Sequence, residues 1–175
     1  MTCLRPLVPA DLAEIREVYG DAVRSQTPTL YTPAQVLAWA DHAAEADVLA
    51  IPLQQGYGLA STTAGPAETN QPGRIEAFGI LHPLDRLSLL YCRGRAGRQG
   101  RASAILVALE RHAQQRGILR LRTEASQLSR PLLERRGWQV EAEETVLFAG
   151  VWFQRWRMIR VLPPISGRSG DDERG

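Results

Sequence analysis

The stretch that most constrains the fold of this chain spans residues 86–113. Residues 86–92 form a short apolar run, which is typical of a buried strand. From residue 103 onward, apolar residues recur at the spacing of one helix face, at Ile105, Leu109 and Ala113. Glycines punctuate the segment between these two parts. The stretch therefore predicts a strand, a glycine-rich loop and a helix in direct succession.

The loop in this stretch has the composition of a phosphate-binding site. Its glycines let the backbone turn tightly and approach a ligand, and they are Gly94, Gly97 and Gly100. Its arginines surround the turn with positive charge, and they are Arg93, Arg95, Arg98 and Arg101. A helix start adds free N–H groups and the positive end of the helix dipole. The alternative interpretation is a solvated basic turn, because such turns are ordinary surface features.

Two well-known phosphate loops do not fit these residues. A P-loop requires Gly-x-x-x-x-Gly-Lys-Ser/Thr, and the chain contains no lysine. A Rossmann fingerprint requires Gly-x-Gly-x-x-Gly, whereas Gly94, Gly97 and Gly100 are spaced by three. The loop therefore belongs to neither class.

Composition limits the protein to a few classes. The 175 residues suffice for one domain with a full core, and the 44% apolar content is that of an ordinary soluble protein. A net charge of +2 argues against a general nucleic-acid partner. Because the sequence has no secretory signal and no long apolar span, we expect a cytoplasmic protein with no membrane partner.

Cysteine and histidine spacing predicts no metal site. Cys3 and Cys92 lie far apart and form no CxxC pair, which suits reduced thiols. The three histidines also lack the spacing of metal ligands. We therefore expect no metal cofactor.

The first half of the chain predicts two helices among short strands. Residues 3–7 read as a strand, and a helix opens at residues 9–11. The second helix begins at Thr32, where Thr32 and Gln35 form a capping box around Pro33. Strands are expected at residues 47–53 and 74–81. Residues 54–73 between them read as a long connector, a tolerated insertion or a lid, of which residues 57–61 extend a hairpin.

The second half completes a mixed α/β fold. Residues 118–123 predict a strand, and residues 126–129 can cap a short helix that runs through residues 133–136 and ends at Gly137. Residues 138–148 and 151–162 predict two long strands. The predicted order is β-α-α-β-β-β-α-β-α-β-β, an open mixed sheet of about seven strands with helices on both faces. The domain spans residues 1–162, and residues 163–175 form a tail expected to be disordered.

The central loop resembles motif A of the GNAT superfamily of N-acyltransferases, Gln/Arg-x-x-Gly-x-Gly/Ala. Gly100 and Ala102 match the pattern, and Gly97 replaces its leading Gln/Arg. The element order and the segments 123–126 and 130–138 also resemble the family, so the likeness covers residues 3 to about 162. It implies acetyl-CoA as co-substrate, an amine acceptor, and N-acetyltransferase activity on a small molecule or a peptide.

The resemblance also implies which residues hold acyl-CoA. Loop amides would bind the pyrophosphate, and the backbone of the preceding strand would bind pantetheine and polarise the thioester carbonyl. The implied cofactor-binding residues are Leu90, Tyr91, Cys92, Gly97, Arg98, Gly100, Arg101, Ala102, Ser103 and Ser126. Arg98 and Arg101 are expected to meet phosphates, and Arg95 is a candidate for the ribose phosphate.

The residues that usually transfer protons in this family are replaced. Leu133 stands where many members have a tyrosine acid, and Ser88 stands where related sequences have an aspartate. Substitutes are needed because acyl transfer to an amine requires proton transfer as well as an oxyanion donor. Glu124 and Tyr91 are the catalytic candidates nearest the inferred thioester, ahead of Glu76, Asp85 and Tyr31. Alternatively, Glu124 is a solvated carboxylate and Tyr91 a core tyrosine.

Tyr31 and Trp39 are candidates for the acceptor side of the site, although core packing would also explain them. The tryptophan-rich last strand makes a homodimer a further expectation. The replaced acid and base leave a second function open, a catalytically degenerate domain that binds acyl-CoA as a sensor or interaction module. RNA binding by the arginine loop is disfavoured, because no aromatic residue is interleaved with its arginines.

Overall fold

Seven strands carry the fold in residues 3–64 and 73–165, the parts of the chain that the structure, a computed structural model, describes. They are β1 (Cys3–Pro6), β2 (Tyr57–Thr62), β3 (Ile75–Leu81), β4 (Leu87–Cys92), β5 (Arg120–Ala125), β6 (Gln139–Phe148) and β7 (Val151–Val161). The α-helices of the same ranges are α1 (Leu12–Gln26), α2 (Pro33–His42), α3 (Ala46–Gln55), α4 (Arg101–Gln115) and α5 (Arg130–Arg135). None of these helices combines the length and the apolar content that crossing a bilayer requires.

The strands form two antiparallel sheets that meet at a single point. One sheet has the order β1-β2-β3-β4 and the other has the order β5-β7-β6. A parallel bridge between Arg86 and Arg122 joins them, next to a hydrogen bond of 2.6 Å from the Thr123 hydroxyl to the Leu87 carbonyl. Beyond this junction β4 and β5 are not paired along their length. A V-shaped opening therefore separates the C-terminal parts of these two strands.

The predicted α/β class, seven strands and helix placement are confirmed, with one correction to the element order. Residues 47–53, expected as a strand, lie in α3, and β2 takes the strand position. A continuous apolar run cannot be assigned from periodicity alone, and here Val48, Leu49 and Leu53 pack as one helix face against the core. The rest of the expected connector, residues 65–72, and residues 166–175 of the expected tail lie outside the described residues.

Helices cover both faces of the sheets. On one face α4 buries Ile105, Leu109 and Ala113, the residues that the helical spacing selected. On the other face α1, α2 and α3 pack on Phe78, Ile80 and neighbouring strand residues. The predicted capping box of α2 is present, with the Gln35 amide donating to the Thr32 hydroxyl and the Gln35 side chain accepting from the Thr32 amide.

Helix α4 packs closely against the sheet at Gly79. A Cβ atom at this position would lie 2.8 Å from Ile105 Cγ2 and 3.1 Å from Leu109 Cδ1. We expect Gly79→Ala to lower the free energy of unfolding by about 1–3 kcal/mol, because the added methyl group overpacks this contact. Urea denaturation followed by circular dichroism would measure the change.

The matched control is Val107→Ala, on the same helix but at a side chain that is 42% exposed. We expect it to change stability by less than about 0.5 kcal/mol. A Gly79→Ala variant as stable as the wild type would contradict the close approach of α4 to the sheet.

Candidate active site

The loop between β4 and α4 is hydrogen-bonded to α1, and two of its residues have a left-handed backbone conformation. The Gly94 amide donates to Asp21 Oδ2 at 2.8 Å, which ties the loop to α1. Arg98 has a φ of 60° and Gly100 a φ of 77°, and α4 begins immediately afterwards. The left-handed conformation explains why a glycine precedes the helix, since a side chain at Gly100 would strain the backbone.

This turn leaves a run of amides without partners. Among the described residues, no group accepts a hydrogen bond from the backbone N–H of residues 98–103. A Cβ atom built on Gly100 would meet nothing within 4 Å, so the space in front of these amides is open. Unpaired N–H groups at the start of a fifteen-residue helix suit the binding of an anion.

The four arginines of the loop have different partners. Arg93 is buried and donates to the Ile75 carbonyl at 3.0 Å. Arg95 pairs with the buried carboxylate of Glu76. Arg101 donates to the Ser61 hydroxyl at 2.9 Å and to the Thr62 carbonyl at 3.2 Å. Arg98 is exposed and has no hydrogen bond or ion pair to any residue that the structure describes.

Strand β4 directs alternate backbone groups into the opening. The Arg93 amide donates to the Glu76 carbonyl at 2.8 Å, and Phe78 and Tyr91 are partners in the same antiparallel ladder. Since hydrogen-bonding direction alternates along such a ladder, the amide and carbonyl of Tyr91 face β3, whereas those of Leu90 and Cys92 face the opening. The Cys92 carbonyl accepts a hydrogen bond from the Gln26 side chain. The Leu90 backbone therefore faces the opening of the V.

A cleft of about 560 Å³ runs from the amide loop into the V between β4 and β5. All of the residues predicted to hold acyl-CoA line this cleft, and they are Leu90, Tyr91, Cys92, Gly97, Arg98, Gly100, Arg101, Ala102, Ser103 and Ser126. Ser126 and Ser129 exchange hydrogen bonds in the turn that starts α5. Leu133 lines the same cleft and is buried.

A second cavity of about 390 Å³ adjoins this cleft. The two share Trp39, Ser88, Leu89, Tyr91, Glu124 and Ser126. Glu124 is the one carboxylate among the described residues that line either space. The Ser88 hydroxyl donates to the Ile80 carbonyl at 3.1 Å, so it is engaged by the sheet.

Glu124 is held from one side by Arg86. The Arg86 guanidinium donates through Nε at 2.9 Å and through Nη2 at 2.7 Å, and both bonds reach Oε2. No described residue donates to Oε1, so this oxygen is available at the junction of the two cavities. The other two carboxylate candidates line neither cavity. Asp85 pairs with Arg122, and Glu76 pairs with Arg95.

The hydroxyl oxygens of Tyr91 and Tyr31 each accept a hydrogen bond from another residue. Trp39 Nε1–H donates to the Tyr91 oxygen at 3.2 Å, and Gln127 N–H donates to the Tyr31 oxygen at 2.8 Å. Burial raises the pKa of both phenols, so both stay protonated at neutral pH. A protonated phenol can donate a hydrogen bond but cannot accept a proton as a base.

Several residues of this region were not predicted from the sequence. Arg86 forms an ion pair with Glu124, and the Gln26 side chain donates a hydrogen bond to the Cys92 carbonyl. The others line the second cavity and are Phe148, Phe153 and Arg155. Gln26 and Arg155 carry no motif or spacing that would have selected them. Across the described ranges, no group of three or more His, Cys, Asp or Glu side chains is arranged to hold a metal ion.

Comparison with known proteins identifies the family. The family model described as an acetyltransferase (GNAT) domain matches residues 52–160, and the chain belongs to this family. The fold is similar to that of a GCN5-related N-acetyltransferase from Rhodopseudomonas palustris, with 25% identity, a TM-score of 0.82, and coverage of 93% of this chain and 96% of that chain. No curated protein sequence gives a significant match.

Two further similar structures were solved with coenzyme A or its acetyl ester. The PaiA N-acetyltransferase from Thermoplasma acidophilum, in complex with coenzyme A, has 14% identity and a TM-score of 0.66, with coverage of 92% of this chain and 99% of that chain. The putative acetyltransferase YncA from Salmonella typhimurium, with acetyl-CoA, has 18% identity and a TM-score of 0.60, with coverage of 97% of this chain and 99% of that chain. At these identities the likeness concerns the fold alone.

The Cys92 thiol, which lines the cleft, offers a direct probe of it. Burial raises the pKa of this thiol to about 11. In a Cys3→Ser variant, where Cys92 is the remaining thiol, we expect the rate of alkylation by iodoacetamide to rise through pH 10–11, because the thiolate is the reacting form. The pKa of an ordinary cysteine thiol is about 8.5.

The matched variant is Cys92→Ser, which retains the exposed thiol of Cys3 and reports the rate at an accessible cysteine. At pH 8 we expect Cys92 to react at least tenfold more slowly than Cys3. Equal rates at pH 8 would contradict the partly buried position of Cys92 in the cleft.

Proposed function

We propose that this chain transfers an acetyl group from acetyl-CoA to a primary amine of a small molecule or a peptide. The observation that carries the proposal is the run of amides at residues 98–103, which have no partner among the described residues and open onto a cleft that Glu124 also lines. Membership of the GNAT acetyltransferase family supports it. So do the related folds solved with coenzyme A and with acetyl-CoA.

The residues of the cleft fit acyl-CoA along its length. The amides of residues 98–103 and the free guanidinium of Arg98 suit the pyrophosphate, because both present donors to a doubly charged anion. Arg101 supports the loop through Ser61, and Arg95 through Glu76, so we assign phosphate contact first to Arg98. The backbone groups of Leu90, facing the V, suit the amide groups of pantetheine.

When bound, acyl-CoA supplies an activated acyl thioester. The Leu90 N–H, at the open edge of β4, is placed to polarise the acyl carbonyl oxygen. Glu124 Oε1 takes a proton from the acceptor amine, directly or through one water, while Arg86 fixes Oε2. Tyr91 donates a hydrogen bond toward the leaving sulfur. Orientation in a rigid V contributes as well, since positioning lowers barriers by about 7–11 kcal/mol in favourable cases.

The loop assignment is tested by Gly100→Val. The new side chain would occupy the space in front of the amides, so we expect acetyl-CoA affinity to fall at least tenfold in calorimetric titration. The matched control is Gly117→Val, because Gly117 has a φ of 79° against 77° at Gly100 and a Cβ there also meets nothing within 4 Å. Both variants carry similar backbone strain, and only the first lies at the amide run.

We expect Gly117→Val to bind acetyl-CoA as the wild type does. Retained affinity in Gly100→Val, with the fold intact by circular dichroism, would remove the loop from the acyl-CoA site.

The role of Glu124 is tested by Glu124→Gln. We expect kcat to fall by a factor of about 10²–10⁴, because a general base is lost, while the Kd of acetyl-CoA changes less than twofold. Release of CoA measured with a thiol reagent gives the rate. The matched control is Glu134→Gln, which also removes a carboxylate paired with an arginine, Arg130, but on the exposed side of α5.

Full activity in Glu124→Gln would remove Glu124 from the reaction. Acetyl-CoA binding by the wild type with no turnover on any amine would instead favour a degenerate acyl-CoA-binding domain.

A further inference from the structure

The second cavity, on the acceptor side of Glu124, has an aromatic wall. Trp39 and Phe153 are each 8% exposed, and their ring centroids are 6.2 Å apart in an edge-to-face arrangement. The Tyr31 ring lies 5.4 Å from Trp39 and 5.8 Å from Phe153. Phe148 extends the wall through a contact of 5.6 Å with Phe153. Such a wall suits a planar ring, because aromatic pairs favour edge-to-face and offset contacts.

The polar atoms of this wall already have partners within the protein. Trp39 Nε1–H is used by the Tyr91 hydroxyl, and the Tyr31 oxygen is used by the Gln127 amide. What the wall offers to an acceptor is therefore mainly ring surface. A polyamine would leave its charged groups facing apolar surface there, which is unfavourable.

A positive charge lies at the other end of the same cavity. Arg155 lines it and donates to Glu144 Oε2 at 2.9 Å, while Arg157 is paired with Glu144 Oε1 at 2.9 Å. Two guanidinium groups thus share one carboxylate. Of the arginine and carboxylate side chains that line the cavity, Arg86 and Glu124 form a neutral pair, which leaves an excess of one positive charge from Arg155. This excess favours an acceptor that carries an anionic group.

Strand register places the amine and anion partners on one sheet face. Glu124 of β5 is the direct partner of Arg157 of β7, so their side chains share a face, and Arg155 lies on that face two residues along β7. Two residues along a strand span about 6.6 Å. An acceptor can therefore meet Glu124 with its amine and Arg155 with a carboxylate at the same time.

We propose that the acceptor is an aromatic amino acid, with its ring against Trp39 and Phe153, its carboxylate at Arg155 and its amine at Glu124. This inference rests on the proposed acetyl transfer. The volume of about 390 Å³ suits one small molecule rather than a length of peptide. In the reaction, the amine nitrogen forms a bond to the acyl carbon, the thioester C–S bond breaks, and the amine proton passes through Glu124 to the departing thiolate. The products are the N-acetylated amino acid and CoA.

The test is calorimetric titration of the wild-type protein with L-phenylalanine, 2-phenylethylamine and glycine, each with and without saturating CoA. L-phenylalanine is expected to bind at least tenfold more tightly than either of the others, because only it offers both the ring and the carboxylate. Arg155→Gln is expected to weaken L-phenylalanine at least tenfold and 2-phenylethylamine less than twofold. Arg120→Gln, which removes an arginine paired with Glu141 outside the cavity, is expected to change neither.

Equal affinity of the wild type for L-phenylalanine and 2-phenylethylamine would overturn the proposal, as would equal weakening of both by Arg155→Gln. Tighter binding of a peptide with N-terminal phenylalanine than of the free amino acid would overturn it in favour of a peptide acceptor. Titration with acetyl-CoA alone tests the acyl-CoA site separately. If the wild type does not bind acetyl-CoA, the proposed acetyl transfer is overturned. The titrations without CoA still decide the class of acceptor in that case.

Discussion

The site depends on the point at which β4 and β5 stop pairing. The two strands are joined at Arg86 and Arg122 and by the Thr123 hydroxyl, and the ladder goes no further. A strand edge without a partner leaves backbone donors and acceptors that require another group. Because α4 starts beside this edge with amides that have no partner in the described part of the chain, both sets of groups line one cleft. The V therefore creates the candidate binding site.

Arginine side chains supply the permanent positive charge of this protein, since the sequence has no lysine. Most arginines of the central loop are used within the fold, where a planar guanidinium satisfies carboxylates and carbonyls at fixed distances. Arg86 has a second task, because it lies at the strand junction and also holds Glu124. The residue at the closed end of the V thus also holds the carboxylate of Glu124, the candidate general base.

The parts of the fold that were predicted correctly are those encoded by nearby residues. The strand, loop and helix of residues 86–113, the capping box at Thr32 and the hairpin of β6 and β7 each depend on local spacing. The prediction of a strand at residues 47–53 was wrong because an apolar run of this kind is compatible with a strand and with a helix. Only packing against the core decides between the two. The catalytic candidates and the acyl-CoA residues remain predictions, now with a position in the cleft.

The sequence by itself determined the family, the glycine loop and the element types other than that of residues 47–53, because these follow from short-range steric and hydrophobic patterns. Only the tertiary structure decided which loop arginine has no partner among the described residues, since Arg101 meets Ser61 and Arg95 meets Glu76 across long stretches of chain. It also decided that Glu124 lies between two cavities and that Trp39, Phe153 and Arg155 share one of them. Contacts between residues far apart in the chain are fixed by the packing of whole elements, and no local pattern records them.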